Sequence, residues 1–121
     1  MTKILIVEDN DLNRRLFADL LMSKGYEVFE CNEGKSALAR ALEIRPDLIL
    51  MDIQMPEVDG LTATKMIREN PDVANTKIIA VTAFAMEGDC ERILAGGCNG
   101  YISKPIAIAN FFKTIDDILS K

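Results

Sequence analysis

Residues 48–56 of the chain read LILMDIQMP, in which an uninterrupted apolar run ends at Asp52. Apolar residues without alternation are typical of a strand buried on both faces, as in a parallel sheet. Two more such runs occupy residues 4–7 and 78–81, and polar side chains follow each of them directly. The sequence therefore predicts buried parallel strands with reactive groups at their carboxyl ends.

Helical patterns alternate with the strand candidates along the chain. After the first run, Leu12, Leu16 and Leu20 recur every four residues, with Phe17 and Leu21 beside them, which predicts an amphipathic helix with these residues on its apolar stripe. Asn10 or Asp11 is its expected N-cap. The alternation continues with strand candidates at residues 27–30 and 100–102 and helix candidates at residues 37–42, 61–68, 87–95 and 108–119.

These patterns add up to five consecutive βα units. Strict alternation predicts a parallel sheet with helices on both faces. At 121 residues, the expected fold is a single α/β domain over residues 1–121, with no output domain. The natural candidate is a flavodoxin-like doubly wound (βα)5 sandwich with strand order 2-1-3-4-5, although periodicity alone does not fix that order.

The composition narrows the function classes. A formal net charge of −5 repels phosphate backbones, so no nucleic-acid partner is expected. The apolar run at residues 4–7 is too short for a signal or membrane segment, so no membrane insertion is expected. The chain has no histidine, and Cys31, Cys90 and Cys98 form no C-x-x-C pair, which argues against a zinc site. We interpret the cysteines as small buried side chains of a cytoplasmic protein.

The side chains that follow the strands carry the chemistry. Glu8 and Asp9 follow the first run, Asp52 and Thr82 follow the other two, and Lys104 follows the last strand candidate. Ligands of doubly wound sheets bind outside the carboxyl ends of the strands, so these side chains are expected in one crevice. Clustered carboxylates need a neutralising cation, and oxygen ligands without His or Cys favour Mg²⁺. The sequence therefore predicts a magnesium site, with Lys104 balancing charge from the opposite side.

Asp52 has the chemistry of a phosphoryl acceptor. A carboxylate can attack phosphorus and form an aspartyl phosphate. Such a transfer depends mostly on positioning and on stabilising charge, which a metal ion and a lysine supply. The alternative is that polar residues at these positions are only helix caps or solvated loop residues. That alternative suits Asn10 and Asp11 better than it suits the residues that follow strands directly.

On these residues the sequence resembles the response-regulator receiver family along its whole length. The matches are Glu8-Asp9, residues 51–56 around Asp52, Gly60, Thr82-Ala83 and Lys104-Pro105. More narrowly, residues 81–86, 97–98 and 101–106 are similar to DivK-type cell-division regulators, which are stand-alone bacterial receivers in cell-cycle control. Receivers of hybrid kinases share much of this sequence, so a detached receiver module of a phosphorelay or hybrid kinase stays an alternative.

The resemblance implies an acceptor and a metal site. Asp52 accepts a phosphoryl group from a phosphohistidine on a histidine kinase or a phosphotransfer protein. Mg²⁺, for which Mn²⁺ can substitute, is bound by the carboxylates of Asp9 and Asp52 and by the main-chain carbonyl of Gln54. Glu8 acts through a metal-bound water.

The resemblance also implies a switch. Lys104, the Thr82 hydroxyl and the Ala83 N–H contact the phosphoryl group, and the peptide bond before Pro105 is cis. Tyr101 is the switch aromatic and turns inward when Thr82 moves toward the phosphate; the alternative is an ordinary half-buried ring. Another aromatic, at position 84, either packs or shields the phosphoryl group from water.

A receiver without an output domain signals through another protein. The expected surface is the last three units, residues 87–95, 100–102 and 108–119. We expect a monomer that catalyses only its own phosphorylation and dephosphorylation.

Three other protein classes compete with this interpretation. A haloacid-dehalogenase-type enzyme usually needs a second acid two residues after its nucleophile, where this chain has Gln54. A flavodoxin needs a first loop that binds phosphate, which the acidic residues 8–11 would repel without a metal. A pseudo-receiver takes no phosphate, and intact Asp9, Asp52, Thr82 and Lys104 argue against that class.

Overall fold

The computed structural model describes residues 1–83 and 88–121, in which five strands alternate with five α-helices. The strands are β1 (Lys3–Val7), β2 (Glu27–Cys31), β3 (Leu48–Asp52), β4 (Lys77–Thr82) and β5 (Gly100–Ser103). The helices are α1 (Asp11–Ser23), α2 (Ala37–Ile44), α3 (Gly60–Glu69), α4 (Asp89–Ala95) and α5 (Ile108–Leu119). The helix predicted for residues 87–95 thus begins at Asp89 within this part of the chain, and residue 87 lies outside the described residues, as does the aromatic at position 84.

The five strands form one parallel sheet in the order β2-β1-β3-β4-β5, which confirms the predicted doubly wound fold. β1 lies between β2 and β3, so the winding direction reverses there, and crevices for ligands form at such reversals. Val7 is paired with Met51, and Asp52 with Val81. This register brings the residues that follow β1, β3 and β4 to the same edge.

Two apolar cores lie on the two faces of the sheet. Helices α1 and α5 cover one face, and α2, α3 and α4 cover the other. Along β3, Ile49 and Met51 pack into the core that α2, α3 and α4 cover, while Leu48 and Leu50 pack into the core that α1 and α5 cover. Burial on both faces explains why β3 is apolar at successive positions up to its last residue.

The buried face of α1 differs from the predicted stripe. Phe17, Ala18 and Leu21 are buried, whereas Leu12 is 82% and Leu16 is 44% exposed. With about 3.6 residues per turn, a four-residue repeat advances by roughly 40° at each step, so a stripe of three leucines drifts around the helix. The predicted apolar stripe was therefore right for Phe17 and Leu21 and wrong for Leu12 and Leu16.

Other local expectations agree with the structure more closely. The Asn10 side chain caps α1, accepting a hydrogen bond from the Asn13 N–H at 2.9 Å. Cys31 and Cys98 are buried and Cys90 is half-buried. On α5, Phe111, Ile115 and Ile118 are buried. No helix within residues 1–83 and 88–121 is long and apolar enough to cross a membrane.

Candidate functional site

The polar residues at the carboxyl edge of the sheet differ in exposure. Glu8, Asp52 and Thr82 are buried, with at most 2% of each residue exposed, whereas Asp9 is exposed. Lys104 is intermediate, with 22% of its side chain exposed. The crevice therefore has a buried floor and one side open to solvent.

Three carboxyl groups meet in this crevice. Glu8, Asp9 and Asp52 each place one carboxylate oxygen within 4.8 Å of the others. Lys104 Nζ lies 3.2 Å from Glu8 Oε1 and 3.5 Å from Asp52 Oδ2. The structure thus brings together four of the residues that the sequence placed at strand ends, and the acids outnumber the ammonium group.

The crowding of acids changes the titration of Glu8. Burial, reinforced by the neighbouring Asp52, raises the pKa of the Glu8 carboxyl from its ordinary 4.5 to about 7, and Lys104 offsets part of this rise. Near neutral pH, Glu8 therefore holds a proton for part of the time when no cation is bound. A divalent cation would remove the need for that proton.

The donor set fits a hard divalent cation. Its ligands are carboxylate oxygens, which Mg²⁺ prefers, and the cluster of acids includes no His or Cys. The exposed position of Asp9 leaves room for the waters that Mg²⁺ retains. The acidic cluster is therefore consistent with the magnesium site that the sequence predicts.

The local chain fixes the orientation of Asp52. The Gln54 main-chain N–H donates to Asp52 Oδ1 at 3.0 Å, and Oδ2 faces Lys104. Gly60 begins α3 directly against the end of β3, where a Cβ would overlap the main-chain oxygen of Asp52. Only glycine allows this approach, which accounts for a glycine eight residues after the acid.

Arg14 also supports the site, although the sequence analysis did not single it out. Its Nη1 donates to the main-chain oxygen of Glu8 at 2.9 Å. The same guanidinium forms ion pairs with Asp11 and Glu30. Arg14 therefore ties α1 to the loop that carries Glu8 and Asp9. A lone arginine on a helix gives no sequence signal for such a role.

The side chain of Gln54 makes the second contact that the sequence analysis missed. Its Nε2 donates to Thr82 Oγ1 at 3.3 Å, and its Oε1 accepts from the Ala83 N–H at 3.1 Å. The resemblance assigns Gln54 only a main-chain carbonyl. In the structure its amide also connects the end of β3 to the end of β4.

Tyr101 lies on β5 and is 36% exposed. It pairs with Ala80 while Thr82 pairs with Ser103, so Tyr101 and Thr82 are on the same face of the sheet. A side-chain hydrogen bond with Cys90 of α4 raises the pKa of the Tyr101 hydroxyl. The Tyr101 ring is therefore partly exposed to solvent and its hydroxyl contacts α4.

The loop after β5 carries Lys104 into the crevice. The Lys104–Pro105 peptide bond is cis. The Lys104 N–H donates to the Thr82 main-chain oxygen at 2.7 Å, which links the ends of β4 and β5. Thr82 and Lys104 are therefore held on adjacent strand ends.

The fold and the acidic crevice define a receiver domain. The family model of the response regulator receiver domain matches residues 4–116, and the chain belongs to this family. Membership in the family implies a histidine kinase or phosphotransfer protein as a partner. Among curated relatives, the chain is 53% identical to the polar-differentiation response regulator DivK of Brucella anthropi over 116 residues, which cover 96% of this chain and 94% of that protein. It is also 53% identical to DivK of Brucella ovis over 120 residues, which cover 98% of both chains.

Solved structures show the same architecture. The receiver domain of the sensor histidine kinase PA1611 from Pseudomonas aeruginosa PAO1 has a TM-score of 0.90 and 37% identity, covering 99% of this chain and 98% of that one. That structure holds a magnesium ion in its active-site cleft. The chemotaxis protein CheY4 of Vibrio cholerae has a TM-score of 0.91 and 30% identity, covering 98% of both chains.

Proposed function

We propose that the chain is a phosphorylation-dependent switch that accepts a phosphoryl group on Asp52 from a histidine kinase or phosphotransfer protein. The observation that carries the proposal is the buried Asp52 carboxyl, which lies within 4.8 Å of two further acids and 3.5 Å from Lys104. A nucleophilic carboxylate, a set of oxygen ligands and a fixed cation are the parts that phosphoryl transfer needs. The chain catalyses only its own phosphorylation and dephosphorylation.

In the proposed transfer, an Asp52 carboxylate oxygen forms a bond to phosphorus while the phosphorus–nitrogen bond of the phosphohistidine breaks. The imidazole keeps the electron pair of the broken bond and takes up a proton. The Gln54 N–H holds Asp52 in position, and Lys104 stabilises charge on the phosphoryl oxygens. Bound Mg²⁺ would add further charge stabilisation at those oxygens.

The residues proposed to hold the metal are the carboxylates of Asp9 and Asp52 and the main-chain carbonyl of Gln54, with Glu8 acting through water. The short distances among the three acids support this assignment. Mn²⁺ has similar ligand preferences and is proposed to substitute.

Two groups at the end of β4 are proposed to bind the phosphoryl group once it forms. They are the Thr82 hydroxyl and the Ala83 N–H, both of which hydrogen-bond to the Gln54 amide. Movement of Thr82 toward the phosphate would open space for Tyr101, which lies on the same face of the sheet. The ring would then turn inward.

The phosphodonor is proposed to dock beside α1. Leu12 and Leu16, one turn apart, are 82% and 44% exposed and follow the acidic loop directly. A donor whose histidine reaches Asp52 has to cover the open side of the crevice next to this helix. Large exposed apolar side chains beside a functional crevice are typical of protein interfaces.

The output is proposed to leave through the surface formed by α4, β5 and α5. Leu94, Tyr101 and Ile108 are the large exposed hydrophobic residues on these elements, at 48%, 36% and 55% exposure. The similarity to Brucella DivK, named for polar differentiation, supports a role in bacterial cell-cycle or cell-division control. A single domain without an output module, a monomeric state and a cytoplasmic location stay predictions.

A second candidate function is that of a receiver module from a phosphorelay or hybrid kinase. The likeness to the receiver domain of a sensor histidine kinase favours it. Phosphotransfer profiling separates the two candidates: the chain is incubated with purified, autophosphorylated histidine kinases and phosphotransfer proteins of its cell. Rapid labelling by a separate kinase supports a free response regulator. Labelling only by one kinase to which it is fused supports the module, and no labelling by any donor contradicts both.

A further inference from the structure

The Gln54 side chain connects the end of β3, which carries Asp52, to the end of β4. Its amide spans Thr82 Oγ1 at 3.3 Å and the Ala83 N–H at 3.1 Å. Gln54 is half-buried and Thr82 is buried. The main-chain N–H of the same residue is bound to Asp52 Oδ1 at 3.0 Å. One residue therefore contacts both the acceptor and the proposed phosphate-binding groups.

Hydrogen-bond chemistry supports the direction of these contacts. The Ala83 N–H can only donate, so the amide atom that faces it must be the carbonyl oxygen. The amide NH₂ group then faces Thr82, whose hydroxyl oxygen accepts. The two contacts are thus consistent with one orientation of the amide.

We propose that the Gln54 side chain is a latch that holds Thr82 and Ala83 in the unphosphorylated arrangement and must release before either group binds the phosphoryl group. The proposal rests on the function proposed above, which assigns these same two groups to the phosphate. While the Ala83 N–H donates to Gln54 Oε1 it is not available as a donor to a phosphoryl oxygen. Gln54 is therefore a positioning residue that opposes activation.

The latch lowers the fraction of molecules that are ready to bind the phosphoryl group. When only a fraction of the molecules is competent to bind a ligand, the apparent association constant is the intrinsic constant multiplied by that fraction. Removing two ordinary neutral hydrogen bonds changes such an equilibrium by roughly five- to 150-fold. Loss of the latch should therefore tighten binding at the site.

The opposite role makes the opposite prediction. If the Gln54 amide donated to the phosphoryl group directly, its removal would weaken binding, because a favourable contact in the bound state would be lost. The sign of the change thus separates a latch from a ligand of the phosphate.

The test uses Gln54→Met, which keeps the length of the side chain and removes both its donor and its acceptor. The probe is beryllofluoride, a mimic of the aspartyl phosphate, titrated at a Mg²⁺ concentration found to saturate each variant. The control is Asn75→Met, the same amide-to-thioether change at an exposed position remote from the crevice. The latch predicts that Gln54→Met binds beryllofluoride roughly fivefold or more tightly than wild type, whereas Asn75→Met matches wild type.

A second readout follows the latch itself. The Ala83 amide hydrogen should exchange with solvent faster in Gln54→Met than in wild type without beryllofluoride, because its acceptor has been removed. The latch is overturned if the Ala83 amide exchanges equally fast in Gln54→Met and wild type, or if Gln54→Met binds beryllofluoride no more tightly than wild type. In either case, binding of beryllofluoride by the wild type leaves the proposed function in place. If wild type itself fails to bind beryllofluoride, the proposed function is wrong and the latch is rejected with it.

Discussion

Lys104 Nζ lies 3.2 Å from Glu8 Oε1, although 96 positions separate the two residues in the sequence. The contact joins the loop after β5 to the loop after β1 across the carboxyl edge of the sheet. Glu8 is fully buried and Asp52 is almost so. Lys104 contacts both acids and therefore supplies them with a fixed positive charge in the crevice. The charge balance of the site is therefore set by the competition between Lys104, protons and a divalent cation for the same acids.

Replacing Lys104 by methionine should separate metal binding from phosphorylation. Loss of the ammonium removes a competitor of the metal, so Lys104→Met should bind Mg²⁺ more tightly, by roughly two- to tenfold. Phosphorylation by acetyl phosphate should nevertheless become slower, because the phosphoryl oxygens lose their cation. Metal titration and labelling rates measure the two effects. Lys65→Met, at an exposed position of α3, is the control. Weaker metal binding by Lys104→Met would show that Lys104 does not compete with the ion.

The raised pKa of Glu8 predicts a pH dependence of folding stability in the absence of metal. Between pH 4.5 and about 7 the unfolded state loses the Glu8 proton while the folded state retains it. The folded state then binds more protons, so this group makes the free energy of unfolding fall as pH rises through that window. At about 1.4 kcal/mol per pH unit, the free energy of unfolding should fall by on the order of 3 kcal/mol across this window.

Glu8→Gln isolates this contribution. The variant has no titrating group at position 8, so its free energy of unfolding relative to wild type should increase from pH 4.5 to pH 7.5. Urea unfolding in EDTA at the two pH values gives the difference. A difference between variant and wild type that stays constant with pH would mean that Glu8 has an ordinary pKa in the folded protein.

Asp9→Ala should weaken Mg²⁺ binding by roughly tenfold or more, because it removes a proposed ligand of the ion. Without metal the variant should be as stable as wild type or slightly more stable, since one of three crowded acids is gone. Titration with Mg²⁺ and thermal unfolding in EDTA are the measurements, with Asp19→Ala, at an exposed position of α1, as the control. Wild-type affinity in Asp9→Ala would exclude Asp9 as a ligand.

The proposed relay through Thr82 can be followed at Tyr101. In wild type, beryllofluoride should move the Tyr101 ring from its exposed position to a buried one, visible as a change in the ring signals in NMR spectra. Thr82→Ala should still bind the mimic at Asp52 but lose most of this movement, while Thr62→Ala, at an exposed position of α3, behaves as wild type. Binding of the phosphate mimic and binding of the output partner should be coupled by about 1–3 kcal/mol in wild type, and Thr82→Ala should lose most of this coupling. If Tyr101 moves equally in Thr82→Ala, the hydroxyl is not the relay.

Residue types and local patterns were enough to predict the strands of the sheet and the residues at their ends. The uninterrupted run from Leu48 to Met51 requires burial on both faces, and this places Asp52 at the edge where ligands bind. The same reasoning gave Lys104, because the chain direction alone puts it at that edge. These features depend on periodicity and topology, which a sequence contains directly.

Side-chain contacts across loops could not be predicted in this way. Whether the Gln54 amide reaches Thr82 depends on the relative position of two strand ends and on one rotamer, and neither leaves a periodic signal. The burial of Leu12 and Leu16 was misjudged for a related reason, because a helical stripe does not say where the helix axis lies relative to the sheet. Arg14 gave no signal because its partner in the site is a main-chain oxygen.

Labelling of Asp52→Asn by acetyl phosphate in the presence of Mg²⁺ shows whether Asp52 accepts the phosphoryl group. Asparagine keeps the shape of the side chain and removes the nucleophile, so circular dichroism should show a normally folded protein. The control is Asp19→Asn, which alters an exposed acid of α1. We expect wild-type labelling of Asp19→Asn, loss of labelling in EDTA, and no labelling of Asp52→Asn. Undiminished labelling of folded Asp52→Asn would contradict the account and place the phosphorylation site elsewhere.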